Sequence, residues 1–259
     1  MSLLRLDHDG PLAVLTFDHP PLNLFDHELI DALEARVDEL SATPPRGLLI
    51  RAEGKVVSGG VDVGKVFDGL DPQVAGRMWA RLLAMIHQVE QLPCPTVFAA
   101  HGLTLTAAFE LSLACDLLVA ARSARFGLVE KVVGLTPAMG GTQRLAERAG
   151  PARAREFVMT GELYPAETLE RWNVVNRVFD DEGFDDAARA FAKSLAEGPT
   201  LAHAVTKQLV RAQLQGGVLQ ADALVPKLCG EHLFATEDLQ NAVRSFLEDG
   251  PGKATYQGR

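Results

Sequence analysis

The stretch LTLTAAFELSLACDLLVA, residues 103–120, governs how the rest of the chain is read. It is apolar almost throughout, and its pattern predicts a short helix from about Thr106 followed by a buried strand at 117–120. Glu110 sits in the middle of that helix, flanked by Phe109, Leu111, Leu113 and Ala114. A carboxylate there either lies on a solvated face or opens onto a cleft, because burying its charge without partners is costly. Too few polar neighbours are present to make a solvated face. Burial would also raise its pKa towards the range in which a carboxylate works as an acid or base.

Twenty residues further on, across the predicted strand, stands Glu130 in ARFGLVEKVVGLTP. Alone it is a loop glutamate beside Lys131, and only the possible pairing with Glu110 lends it interest. Two backbone features could receive negative charge on a ligand. One is the glycine turn SGGVD at 58–62, which lets backbone approach a ligand closely. The other is the start of the 106–115 helix, with its unpaired amides and positive dipole end.

Around this centre the chain alternates strands and helices. Residues 2–7 and Leu12–Phe17, separated by His8, Asp9 and Gly10, predict a β-hairpin. Asp26 is placed to cap a helix carrying Leu29, Ile30, Leu33, Val37 and Leu40, which Pro44 and Pro45 stop. A buried strand is expected at 47–51. A long helix from about Pro72 shows Met78, Leu82, Met85, Ile86 and Val89 as one stripe, and it ends before Pro93 and Pro95. A strand at Thr96–Ala100 and a turn at Gly102 lead into the central stretch. A short strand is expected from Phe126, and Pro137 fits the first turn of a helix reaching Arg148. Helices are expected at 151–159 and 166–172 and a strand at 174–179. Beyond Phe184 only helical patterns occur, at about 184–196, 200–214, 218–234 and 236–248. The order predicts an α/β core over residues 1–195 and an all-helical region over 196–259.

Composition bounds the function. The chain has 259 residues, is 47% hydrophobic and 23% charged, and carries a formal charge of -9. That balance argues against nucleic acid or an anionic membrane as a partner. The opening MSLLRLDHDG has charges too early for a signal-peptide core, and the longest apolar stretch, 103–121, contains Glu110 and Asp116. The expected location is the cytoplasm. Cys94, Cys115 and Cys229 match no metal spacing and read as free thiols in a reducing compartment. No metal site is expected.

Five segments resemble the crotonase (enoyl-CoA hydratase/isomerase) superfamily, in order and at its spacing: HPPLN (19–23), GKVVSGGVDV (54–63), AAHGLTLTAAFELSLACDLLVA (99–120), ARFGLVEKVVGLTPAMGGTQRL (124–145) and LFATEDLQNAVRSFLE (233–248). The resemblance implies a spiral of ββα turns with a helical C-terminal trimerisation region. It puts Glu110 and Glu130 on the two catalytic glutamates of the hydratase branch, and the backbone amides of Val61 and Ala107 on the oxyanion hole. Leu24, Gly59, Gly60 and Val63 fall near backbone that lines the coenzyme A site. It further implies an acyl-CoA thioester as substrate, no cofactor beyond the coenzyme A of that substrate, and a homotrimer or dimer of trimers. The apolar Leu209, Val210 and Leu214 suit such assembly. Both glutamates favour hydration of an enoyl-CoA. The alternatives are double-bond isomerisation, decarboxylation, thioester hydrolysis or a non-catalytic acyl-CoA-binding subunit. One departure stands out: Thr106-Ala107-Ala108 occupies the place of three family glycines, and its methyl groups narrow the space beside a thioester. His101 replaces the family's asparagine. Asp62 and Asp116 look like turn and strand-entry residues, and Gly140, Gly141, Thr142 and Arg144 like helix-start and packing residues.

Overall fold

The computed structural model describes residues 3–259, so the residue at position 2 of the expected hairpin lies outside the described residues. Strands β1 (Leu4–Asp9) and β2 (Leu12–Phe17) form that hairpin, antiparallel, with Leu6 opposite Leu15. Gly10 takes φ 61° in the turn, the left-handed region where glycine bears no Cβ penalty. Every residue of β2 is buried, because β2 continues into a parallel ladder and is covered on both faces.

Helix α1 (His27–Ala42) begins where Asp26 Oδ1 accepts the Leu29 amide at 3.0 Å, and the five expected apolar residues are its buried stripe. Strand β3 (Gly47–Ala52) follows. After the glycine turn comes a single helical turn, α2 (Val63–Val66), capped by Asp62. Helix α3 (Pro72–Gln91) buries Leu82, Met85, Ile86 and Val89, while Met78 packs at the edge of the core. Strands β4 (Thr96–Ala100) and β5 (Leu103–Leu105) lead into α4 (Thr106–Ala114), then β6 (Leu117–Ala121) and β7 (Arg125–Gly127). Asp116 is the strand-entry residue expected: its Oδ2 accepts the Thr96 amide and hydroxyl, both at 2.8 Å.

The second half holds α5 (Gly141–Ala149), α6 (Pro151–Thr160), β8 (Tyr164–Pro165), α7 (Ala166–Arg171) and β9 (Arg177–Phe179). After β9 the described residues contain only helices: α8 (Phe184–Ala196), α9 (Thr200–Gly216), α10 (Val218–Asp222), a π-helical segment Pro226–Leu233 and α11 (Glu237–Asp249). The main sheet has the order β1-β2-β3-β4-β6-β9, parallel except for the hairpin, and a smaller sheet runs β5-β7-β8. One apolar core lies on the α1, α3 and α4 side of the main sheet, and a second lies under α8. No helix among the described residues is long and apolar enough to cross a membrane.

Four boundaries differ from expectation. His8 and Asp9, expected between the hairpin strands, continue β1 and pair with Ala13 and Leu12. Pro137 does not open a helix. α5 starts at Gly141 after Gly140 in the left-handed region at φ 89°, because the amides of Met139 and Gly141 turn towards a side chain described below. The strand expected from residue 174 begins at Arg177. The amides of Val174 and Val175 both bond the Leu169 carbonyl and close α7 instead. The helix expected across 218–234 is broken near Pro226, which has no N–H to continue an α-helical ladder.

The loop before α1 is pinned by Asn23, buried and at φ 48°. Its Oδ1 accepts the His19 amide at 2.7 Å, and its Nδ2 donates to the carbonyls of Glu53, Val56 and Val57 at 3.0–3.2 Å. Replacing Asn23 with Ala removes these bonds and strands buried carbonyls. Urea unfolding should register a loss of about 3 kcal/mol, with the slope of the transition unchanged.

Candidate active site

Helix α4 positions the site because it has no solvent face. All nine of its residues are buried, the situation of a helix apolar on every side. Its carboxyl end is held by Arg148, whose Nη2 donates to the carbonyls of Leu113 at 3.2 Å and Cys115 at 2.5 Å. Glu110, one turn from the start, is only 3% exposed. Its Oε1 accepts two amides, from Met139 at 2.8 Å and Gly141 at 2.9 Å. A Cβ on Gly141 would fall 2.5 Å from Glu110 Cγ, so only glycine permits this approach. Burial pushes the Glu110 carboxyl up to about 7, with the charge of Glu130 adding to the rise and the two amides opposing it.

Glu130 reaches the same place by another route. Strands β5 and β7 are parallel neighbours, with Leu105 opposite Gly127, so the chain leaves both at the same edge. Beyond β5 lies α4. Beyond β7 lies the buried Leu128 and then a 3-10 turn, Glu130–Val133, closed by Gly134 in the left-handed region. Both carboxylate oxygens of Glu130 are buried and neither has a hydrogen-bond partner. Burial pushes this carboxyl, too, up to about 7.

The glycine turn lies against the start of α4. Ser58 bridges to Thr104 in parallel, and an added Cβ on Gly60 would sit 2.6 Å from Thr106 Oγ1. Val61 follows Gly60 and Ala107 follows Thr106, so the two expected amide donors stand on adjoining segments. Among the described residues no acceptor of the chain engages either N–H. The same turn meets the loop before α1. Gly59 donates to the Leu22 carbonyl at 2.8 Å and packs against Leu24, Phe25 donates to the Gly60 carbonyl, and Val63 beyond it is exposed. Beneath this loop, burial alone would raise the Asp26 carboxyl, but Lys65, at 2.7 Å, and the Leu29 amide bring it down to about 2.

The sequence marks Gly140, Gly141, Thr142 and Arg144 as helix-start and packing residues but does not show what they hold. Arg144, 8% exposed, donates through Nε and Nη2 to both Glu90 oxygens at 2.7 and 2.6 Å, and through Nη1 to the Gly140 carbonyl at 3.2 Å. Burial works to raise the Glu90 carboxyl, and the Arg144 fork overrides it, holding it below its ordinary value. Through the Gly140 carbonyl Arg144 holds the peptide group whose N–H, that of Gly141, is one of the two that grip Glu110. The Gly-Gly pair before Thr142 was the available signal. His101 Nε2 bonds the Gly54 carbonyl at 3.0 Å, which makes it a structural loop residue. Cys94 and Cys115 are buried free thiols pushed up to about 12 by burial, and Cys229 is a half-buried free thiol. Among the described residues no three His, Cys, Asp or Glu side chains gather to hold a metal ion. A separate open cavity of about 370 Å³ beside β3 is lined by Arg51, Glu53, His101 and Asp185. Its Arg51 is already paired with Glu53 and Asp185, and neither Glu110 nor Glu130 lines it.

Two desolvated carboxylates and a pair of free amides are groups suited to acid–base chemistry on a carbonyl compound. The model of the enoyl-CoA hydratase/isomerase family matches residues 7–258. A probable enoyl-CoA hydratase of Bacillus subtilis is 30% identical over 96% of both chains, and a carnitinyl-CoA dehydratase of Salmonella enteritidis is 34% identical over 81% of this chain and 80% of its own. The crystal structure of an enoyl-CoA hydratase from Mycobacterium smegmatis superposes with a TM-score of 0.89 at 26% identity, covering 95% of this chain and 96% of that one. The chain belongs to the enoyl-CoA hydratase/isomerase family of the crotonase superfamily and has its fold.

The raised carboxyl of Glu110 has a consequence for stability. Between the ordinary value of 4.5 and about 7 the folded chain binds a proton that the unfolded chain has released. Stability therefore falls as pH rises through that window. In Glu110→Gln, Oε1 still accepts the Met139 and Gly141 amides but cannot ionise. Denaturation at pH 5 and pH 8 should show the variant losing less stability than the parent over this interval, by on the order of 2 kcal/mol.

Proposed function

We propose that this protein is an enoyl-CoA hydratase, adding water across the 2,3 double bond of an enoyl-CoA thioester. The observation that carries the reading is the pair of Glu110, a buried residue, and Glu130, whose carboxylate oxygens are buried; both are pushed up to about 7, and the charge of Glu130 acts on Glu110. Such a pair shares a proton near neutral pH, which supplies a base and an acid at once.

The amides of Val61 and Ala107 receive the thioester oxygen and stabilise the negative charge that builds on it. Glu110, whose amide bonds favour its ionised form, holds the water and takes its proton as oxygen bonds to the β-carbon. Glu130, which no side chain restrains, delivers a proton to the α-carbon. Water thus gives its oxygen to one carbon, and a proton reaches the other. Leu24, Gly59, Gly60 and Val63 offer backbone and apolar surface to the pantetheine and adenine of coenzyme A, and no separate cofactor is required. Dehydration is the same path reversed, and the 34% relationship to a carnitinyl-CoA dehydratase supports chemistry at these two carbons. The setting we infer is cytoplasmic acyl-CoA metabolism, of the fatty-acid kind. We also propose a homotrimer or a dimer of trimers. Val210, Leu214, Leu219, Phe246 and Leu247 are all more than half exposed on the C-terminal helices, and association would cover them.

Turnover of crotonyl-CoA, followed by loss of its enoyl absorbance, tests the mechanism. Glu110→Gln and Glu130→Gln should each lower kcat by roughly a hundredfold or more. The double variant should lose less than the product of the two, since the groups act as a unit. Affinity for butyryl-CoA, measured by calorimetry, should stay within a fewfold. A severe effect at Glu130 with a mild one at Glu110 would instead identify an isomerase. Binding without turnover in the parent would identify a non-catalytic subunit.

A further inference from the structure

Thr106 is the residue at which this chain departs most in chemistry from three glycines, and its geometry is unusual on two independent counts. Its φ is 44°, a left-handed conformation that a β-branched residue rarely adopts. Glycine would adopt it freely, so the side chain is kept against the preference of its own backbone. Its hydroxyl, Oγ1, is buried and has no hydrogen-bond partner, although the residue is only 8% exposed. A buried hydroxyl with nothing to bond is unfavourable, so both features count against threonine as a mere structural choice.

The location gives the hydroxyl a task. Oγ1 lies against Gly60, at 2.6 Å from where a Cβ of that residue would be, and Gly60 itself is at φ 101°. A larger residue at 60 would displace it. The hydroxyl therefore sits on the seam between peptide 60–61 and peptide 106–107, whose N–H groups belong to Val61 and Ala107. We propose that the Thr106 hydroxyl is a third hydrogen-bond donor to the thioester oxygen, completing the oxyanion site that the two amides begin. This rests on the acyl-CoA reading above. A hydroxyl donor strengthens as charge develops on the acceptor, so its contribution falls on the enolate-like transition state more than on the bound ester. It also explains how the site tolerates the methyl groups of Ala107 and Ala108: the oxygen is held from one more side.

Three variants and two ligands test this. Thr106→Val keeps the shape and removes the hydroxyl, Thr106→Ser keeps the hydroxyl, and Thr106→Gly relieves the backbone and removes it. Turnover is read with crotonyl-CoA. Binding is read by calorimetry and absorbance with butyryl-CoA, a neutral ester, and with acetoacetyl-CoA, whose enolate places charge on the carbonyl oxygens. Circular dichroism checks folding. The expected result is that Thr106→Val and Thr106→Gly lower kcat by tenfold or more and weaken the acetoacetyl-CoA enolate by a similar factor. Butyryl-CoA affinity should stay within about twofold, and Thr106→Ser should retain most of both. Val or Gly variants that match the parent in kcat and enolate binding would overturn the proposal, as would a Gly variant faster than the parent. A parent that binds the enolate without turning over crotonyl-CoA would remove the hydratase reading, and the enolate arm would still decide on Thr106. A parent that binds neither ester would remove both.

Discussion

The rest of the site depends on one constraint: a carboxylate on a helix that has no solvent face. Glu110 cannot turn outward, because every residue of α4 is buried. Its charge must be satisfied locally, and the chain does so with two amides converging on one oxygen. That demand sets the start of α5, requires Gly141 where a Cβ would collide with the Glu110 side chain, and recruits the Glu90–Arg144 pair to hold the peptide that carries the Gly141 N–H. The second oxygen accepts neither amide.

The two carboxylates meet because of sheet topology rather than sequence proximity. Parallel pairing of β5 with β7 delivers α4 and the 3-10 turn to the same edge. This is the general place for sites in parallel sheets, where loops leave the carboxyl ends of adjacent strands. Neither partner is unusual alone. Burial disfavours ionisation of both, and at Glu110 the charge of Glu130 adds to that effect.

Much of this was legible in the sequence. The apolar run around Glu110 marked a buried carboxylate, and Asp26, Pro72 and the prolines at 44 and 45 set helix ends where local chemistry demands them. The segments missed were those set by tertiary contacts. The three-residue strand β5 and the two-residue β8 are too short for a periodic pattern, whereas the short strand expected from Phe126 is present as β7. α5 begins four residues later than Pro137 suggests, because the intervening amides serve Glu110. The role of Arg144 was invisible because its partner, Glu90, lies 54 residues away at the end of α3. The strain at Thr106 was equally hidden, since only the folded backbone reveals that its φ is positive.

Burial raises both carboxyls out of the ordinary range, and the charge of Glu130 adds to the rise at Glu110. A pH titration of the carboxyl carbons by ¹³C NMR on glutamate-labelled protein tests this directly, with the two resonances assigned from Glu110→Gln and Glu130→Gln. Two signals titrating near 7 are predicted. Titration of both close to the ordinary 4.5 would contradict the account.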